Sequence, residues 1–263
     1  MRQIYLSIDL AKRAIQDKYY LEALAFNILI KKEFVSSSLH CATVRGCRER
    51  FGFGMNKMSR ILRNGQAYGL LRVDTIPSGK ILVATKIKGK GYNVRLDFED
   101  REYRLSEVID MIRNSVLLNH IKIQNLVSDT IKDAENPSSM KMQREAKKKL
   151  KRMAVNKNRR LPDGLSNARI AEITNSNLYR AKILIRKLVA SGKVIKEEVI
   201  KPTGIKQDFY YTDFEKWRKK TGGFGYLFWR KERDEYGRVI GSQLYVRTSN
   251  RYIYNCDAIK KFI

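Results

Sequence analysis

The sequence predicts an α+β fold built as two similar modules, and three observations carry that prediction. Helical apolar periodicity gives way to a strand–turn–strand pattern between residues 21 and 87, and the same order recurs between residues 166 and 211. A dense basic run lies between the two. The expected layout is an N-terminal module over 1–94, a helical connector or dimer element over 95–135, a basic helical linker over 136–160, and a C-terminal module with an aromatic β extension over 161–263.

The first element is "LEALAFNILIKK", which places Leu21, Leu24, Ala25, Ile28 and Leu29 on one helical face. Ser38 is the expected cap of a second helix, with Val44, Cys47 and Phe51 at spacings of three and four. "FGFG" then interrupts the pattern, and either Gly52 or Gly54 can supply the left-handed turn residue. A third helix starts near Met55, buries Met55, Met58 and Leu62, and stops near Asn64-Gly65. "GLLRVDTIPSGKILVATKI" reads as a hairpin.

Residues 95–110 hold six acids against three arginines, so this segment should avoid phosphate. Leu105, Val108, Ile109, Ile112 and Val116 make an amphipathic helix, which Leu117–Ile131 either continues or follows with another. Packing on the first module and a homodimer contact are its two readings. "ENPSSM" marks a linker, and residues 141–160 then hold ten basic residues and one acid, with Met142, Ala146, Leu150 and Met153 at helical spacing. Lys147, Lys148, Lys149, Lys151 and Arg152 are its candidate phosphate contacts.

In the C-terminal module Ser166 or Asn167 caps a short helix, "TNSN" turns, and Leu178–Ala190 forms a longer helix ended by Ser191-Gly192. Strands are expected at 193–201 and 206–211 around Pro202-Thr203-Gly204, then a short helix in "DFEKWRKK" and strands at 224–230, 239–248 and 251–254, with "DEYG" turning the hairpin. The aromatics Tyr210, Tyr211, Trp217, Tyr226, Phe228, Trp229, Tyr245, Tyr252 and Tyr254 either fill one buried sheet face or stack bases.

Composition points to the partner. Of 263 residues, 54 are Lys or Arg and 27 are Asp or Glu, a formal charge of +27 with a pI near 10.1. Solubility does not require such an excess, so a polyanion is implied, and nucleic acid comes first. A membrane is the rival polyanion. No run of about eighteen apolar residues appears, and Asp9 interrupts the short apolar stretch at Met1–Leu10, so neither a membrane partner nor a secretory signal is expected. Cys41, Cys47 and Cys256 are odd in number and read as free thiols of a reducing compartment.

Arg169–Leu188 resembles the helix-turn-helix of bacterial and phage DNA-binding proteins. Ala171 stands at the close-contact position, and Asn175 replaces the usual turn glycine with a residue tolerant of left-handed backbone. Ala181, Leu184, Ile185 and Leu188 face the core. The resemblance assigns Asn177, Tyr179, Arg180, Lys182 and Arg186 to the DNA side. Thr43–Asn64 matches less closely, having no alanine at the tight position; its outward candidates are Asn56, Lys57, Ser59, Arg60 and Arg63. Two such units, each with a hairpin wing, resemble the tandem winged helix-turn-helix architecture of plasmid and phage replication initiators. That resemblance implies sequence-specific double-stranded DNA binding in the cytoplasm of a bacterial host, with replication or transcription machinery as further partners. A transcriptional regulator of the same fold, or a virion or nucleoid protein that coats DNA, would use the same parts.

No enzyme chemistry is expected. His40 and His120 form no His-hydrophobe-His pair, and His40, Cys41 and Cys47 lack zinc spacing. "PSGKIL" and "KGKGYN" lack the pattern of a phosphate-binding loop, their lysines being expected to serve a wing tip, and the acidic "LDFEDRE" has no lysine or histidine partner at a nuclease spacing. Neither cofactor nor metal is expected.

Overall fold

Between residues 20 and 30 only Glu22 and Asn27 are neither apolar nor aromatic, and a helix so poor in polar surface must be enclosed on all sides. In the computed structural model, which describes residues 2–40, 43–77, 79–89, 91–135, 138–152, 164–206, 226–247 and 249–255, all eleven of these residues are buried. In chain order the elements are β1 (Arg2–Ser7), α1 (Ile8–Gln16), α2 (Lys18–Glu33), β2 (Ser38–His40), α3 (Val44–Phe51), α4 (Met55–Ala67), β3 (Leu71–Ile76), β4 (Gly79–Ala84), β5 (Asn93–Phe98), α5 (Leu105–Glu135), α6 (Met140–Arg152), α7 (Asn167–Thr174), α8 (Leu178–Ala190), β6 (Val194–Glu197), β7 (Ile200–Lys206), β8 (Tyr226–Arg233), β9 (Val239–Arg247) and β10 (Arg251–Tyr254). The protein is mixed α+β. Its strands form small antiparallel sheets, β1-β5, β2-β4-β3, β10-β6 and β7-β9-β8. Two compact units divide the chain, residues 1–120 with 171–185, and residues 121–170 with 186–263. Residues 171–185, assigned by sequence to the C-terminal module, thus group with the first unit.

In the first unit α2 is the central rod. Asp17 caps its start, Oδ1 accepting from the backbone N–H of Tyr19 at 2.8 Å and of Tyr20 at 3.3 Å, while the Tyr68 hydroxyl donates to Oδ2 at 2.6 Å. Arg2 serves the other end, its guanidinium donating to the carbonyls of Lys32 and Phe34 at 2.8 Å each, where a cation also suits the helix dipole. Asn27 is fully buried midway, and its Nδ2 donates to the carbonyls of Leu70 and Thr85 at 2.5 and 3.2 Å. Those residues flank the β3–β4 hairpin, so one carboxamide ties the rod to the hairpin base.

Several expectations are corrected here. The first two elements, β1 and α1, had no counterpart in the sequence reading, because Ile4 and Leu6 find their partner β5 ninety residues away. Ser38 opens a strand rather than capping a helix; Thr43 caps α3, accepting from the N–H of Gly46 at 3.0 Å. Met55 is exposed, since the first turn of α4 faces outward. That helix passes Gly65, which keeps a negative φ, and ends at Ala67, with Gly69 taking the left-handed turn at φ +67°; the Leu71 side chain fills the place where a β-carbon at residue 65 would stand. The connector helix α5 runs unbroken to Glu135, and Leu105, Val108, Ile112 and Val116 are buried in the core of the first unit.

In the second unit Asn125 of α5 takes the part of a neighbouring strand for β10, donating to the Tyr252 carbonyl at 3.1 Å and accepting from the Tyr254 N–H at 2.7 Å. Gly164 abuts the backbone of Ser249 and Asn250 so closely that no β-carbon fits. The Asp234–Gly237 turn joins β8 to β9 as "DEYG" predicts: Asp234 Oδ1 accepts from the N–H groups of Tyr236 and Arg238 at 3.0 and 2.7 Å, and Gly237 takes φ +80°. The second wing expected from 193–201 and 206–211 is corrected. Strand β6 pairs with β10, β7 pairs with β9, and Pro202-Thr203-Gly204 lies within β7 instead of turning. An edge strand tolerates Pro202, which has no N–H to donate. "DFEKWRKK", Met153 and the rest of 153–163, and the aromatics Tyr210, Tyr211 and Trp217 lie outside the described residues.

Two outcomes test this account. Asn27→Ala should lower the unfolding free energy by about 1–3 kcal/mol, because it strips buried carbonyls of a donor; denaturant titration at unchanged m-value measures it. The Tyr68 hydrogen bond, then the N–H groups of Tyr19 and Tyr20, hold the Asp17 carboxyl below its ordinary pKa of 3.8. Its stabilising contribution is complete above that unfolded value and fades as pH falls through the lower folded value. The Tm difference between the protein and Asp17→Asn should therefore narrow below about pH 4.

Candidate nucleic-acid interface

Helices α3 and α4 are joined by a short turn whose geometry selects one of two glycines. Gly52 ends α3 at φ +67° with its N–H on the Arg48 carbonyl at 2.8 Å, whereas Gly54 is extended and precedes α4. The turn glycine is Gly52. Burial fixes the orientation of both helices. Cys47, Met58, Ile61 and Leu62 point to the core, and enclosure pushes the Cys47 thiol up to about 11, so it packs as a small apolar group.

The opposite face of α4 presents Asn56, Lys57, Ser59 and Arg63, all exposed. Lys57 Nζ lies 5.2 Å from the Phe53 ring centroid. Arg60, expected among them, turns inward: it binds Glu22 of α2 at 2.9 Å and covers the Tyr19 ring at 5.2 Å. Glu22 is 8% exposed, and a buried carboxylate recruits the nearest guanidinium. Arg48, Arg50 and Gln66, which the sequence reading did not single out, are also exposed, as is Lys80, the lysine of "PSGKIL" expected at a wing tip. Their signal was the acid deficit of the segment. Between Thr43 and Lys80 stand eight basic residues and two acids, and each acid already holds an arginine of its own element, Glu49 with Arg45 at 2.9 Å and Asp74 with Arg72 at 2.8 Å. Arg48, Arg50, Lys57, Arg63 and Lys80 keep the excess.

The second candidate helix has different surroundings. Ser166 caps α7, its Oγ accepting from the Arg169 N–H at 3.1 Å. Asn175 makes the turn at φ +44°, as its residue type allows. Ala181, Leu184, Ile185 and Leu188 are buried, and Tyr179, Lys182 and Arg186 are exposed. Asn177 is the helix cap, accepting from the Arg180 N–H at 2.8 Å. Arg180 does not stand clear of the protein. Its Nε and Nη2 grip the two oxygens of Asp110 on α5 at 2.7 and 2.6 Å, and Asp110 is 3% exposed. The preceding turn is docked too, Asn175 donating to the Ile15 carbonyl at 2.7 Å and accepting from Arg113 at 3.2 Å. Burial pushes the Arg113 pKa down.

On α6, Ser139 caps the start, its Oγ accepting from the Met142 N–H at 3.2 Å, and Ala146 is buried. Lys147 and Lys148 are exposed, as are Lys141 and Arg144. Lys149, Lys151 and Arg152 belong to the helix, but their side chains lie outside the described residues. In the acidic cluster Asp97 pairs with Arg95 at 3.0 Å and Glu99 with Arg101 at 3.3 Å, and Arg101 also holds Glu107 at 3.0 Å, while Asp100 and Glu102 are exposed. Among the described residues no group of three or more His, Cys, Asp or Glu is placed to hold a metal ion, and no helix is long and apolar enough to cross a membrane.

No protein-family model matches the chain, and no curated protein matches it. The residues themselves carry the functional argument.

Removing one member of the buried pair should expose its structural weight. Asp110→Ala should cost about 2 kcal/mol of stability, because it leaves a guanidinium half enclosed without its counter-charge. Circular-dichroism melts check this, and a loss under about 0.5 kcal/mol would mean that Asp110 does not hold α8 in place.

Proposed function

We propose that this protein binds double-stranded DNA sequence-specifically, with α4 in the major groove and the β3–β4 hairpin against the neighbouring backbone. The observation that carries the reading is the exposed row Asn56, Lys57, Ser59 and Arg63, framed by Arg48, Arg50 and Lys80. Carboxamide, hydroxyl and guanidinium groups suit base edges, and the surrounding cations suit phosphate. The order α2-β2-α3-α4-β3-β4 with strands arranged β2-β4-β3 supports a winged helix-turn-helix reading of this unit. For the second helix-turn-helix the exposed Tyr179, Lys182 and Arg186 remain the candidate contacts, while Arg180 and Asn177 have structural partners. Helix α6 supplies sequence-independent phosphate contacts.

The biological role that best fits two such DNA-facing segments with a basic helix is initiation of plasmid or phage replication, in the bacterial cytoplasm. The protein acts there by binding, without catalysis, and recruits replication machinery.

Selection from a random duplex pool tests the DNA reading: an enriched motif is expected, and a pool without one would replace it with a protein that coats DNA. On the selected site Arg63→Ala should cost on the order of 1–3 kcal/mol while barely changing random-duplex affinity. Arg60→Ala should chiefly lower Tm. Replacing Lys147, Lys148, Lys149, Lys151 and Arg152 together by alanine should weaken all duplexes and make the salt dependence shallower by roughly 0.9 per lost phosphate contact, leaving the preference intact.

A further inference from the structure

Helix α4 is bordered by the start of α2, and the contacts between them fix where the α1–α2 corner lies. Arg60 stands three residues after Lys57 and three before Arg63, so it belongs to the same row of the helix. Its side chain nevertheless leaves the row to bind Glu22 at 2.9 Å and to cover the Tyr19 ring at 5.2 Å. Tyr19 is thereby held at the rim of the row, and it stays 46% exposed. About two turns further on, the Tyr68 hydroxyl donates to Asp17 at 2.6 Å, and the Tyr68 ring meets that of Tyr20 edge-on at 4.6 Å. Arg13 completes the chain of contacts: burial pushes the Tyr20 hydroxyl pKa up, and Arg13 is near enough to oppose that shift. The corner therefore runs alongside α4 for roughly 11 Å, from Arg60 to its C-terminal end.

The outward surface of this corner is cationic. Lys12 and Arg13 are exposed on α1, whose other face buries Ala11, Ala14 and Ile15, and Lys18 is exposed at the start of α2. The acids nearby are occupied or stand apart: Asp17 caps α2 and accepts from Tyr68, Glu22 holds Arg60, and Asp9 is exposed one turn before Lys12. Among the described residues none of the three cations lies within ion-pair distance of a carboxylate. The backbone of a duplex flanks the groove that a helix enters, and lysine, arginine and tyrosine side chains are among its usual partners. We propose that the α1–α2 corner, through Lys12, Arg13, Lys18 and Tyr19, grips the phosphate backbone along the edge of the groove that α4 enters. The proposal rests on the duplex reading and adds to it a contact edge made by α1 and α2. Arg60 is a positioning residue here, since its guanidinium holds the Tyr19 ring at the rim.

Fluorescence anisotropy with the selected duplex and with a random duplex tests this edge. Replacing Arg13 and Lys18 together by glutamine should weaken both duplexes by the same factor, roughly tenfold, and leave the preference between them intact. The log–log salt slope should become shallower by about 1.8, at roughly 0.9 for each lost phosphate contact. Tyr19→Phe, which keeps the ring under Arg60, should weaken both duplexes about threefold. An unchanged salt slope in the double variant overturns the proposal. Amine acylation of the unaltered protein, read by mass spectrometry, guards against misfolded variants: bound duplex should protect Lys12 and Lys18, and full reactivity of both in the complex overturns the edge. Failure of the duplex reading is recognised separately. A protein that binds no duplex loses both, whereas selected-site binding that still depends on Arg63 but ignores the corner removes this edge alone.

Discussion

One buried carboxamide governs how the first unit is assembled. Asn27 sits in the middle of a helix enclosed on every side, and its donors can be satisfied only by backbone carbonyls that come to it. Leu70 and Thr85 provide them, which sets where the β3–β4 hairpin begins and ends relative to α2. Helix α4 feeds directly into that hairpin and carries Gly65 against Leu71, so its rotation follows from the same anchor. Which residues α4 shows to solvent is thus a consequence of a contact on its far side.

Charge is sorted by the same logic. Several acids in the first unit are consumed locally or drawn inward: Glu22 by Arg60, Asp110 by Arg180, Glu107 by Arg101 and by the Arg104 N–H at the start of α5. Basic residues outnumber these acids, and exposed ones stand on α3, α4 and the hairpin end, with others on α1, at the start of α2 and after β4. The two ion pairs on buried carboxylates also remove Arg60 and Arg180 from the set of surface cations. A helical wheel counts both as outward because it sees spacing but not partners.

Much of the local structure was legible beforehand because its signals are local. The span of α8, the left-handed turn at Asn175, the "DEYG" turn, the β3–β4 hairpin and the helical character of Met140–Arg152 follow from periodicity, caps and turn residues within a few positions of each element. The exposed candidates Asn56, Lys57, Ser59, Arg63, Tyr179, Lys182 and Arg186 were read the same way. What was missed rests on distant partners. Strand β1 waits for β5, β6 pairs with β10 instead of its neighbour β7, and Met55 is exposed because the core lies on the other side of α4.

The sequence by itself determined the α+β character, the positive excess and its position along the chain, and the spans of α7 and α8, since propensity, capping and charge are properties of short segments. Tertiary structure alone decided which strands pair, which of two glycines turns between α3 and α4, and which arginines are spent on buried carboxylates. Those outcomes depend on groups tens of residues apart competing for the same desolvated space, and no local pattern records the winner.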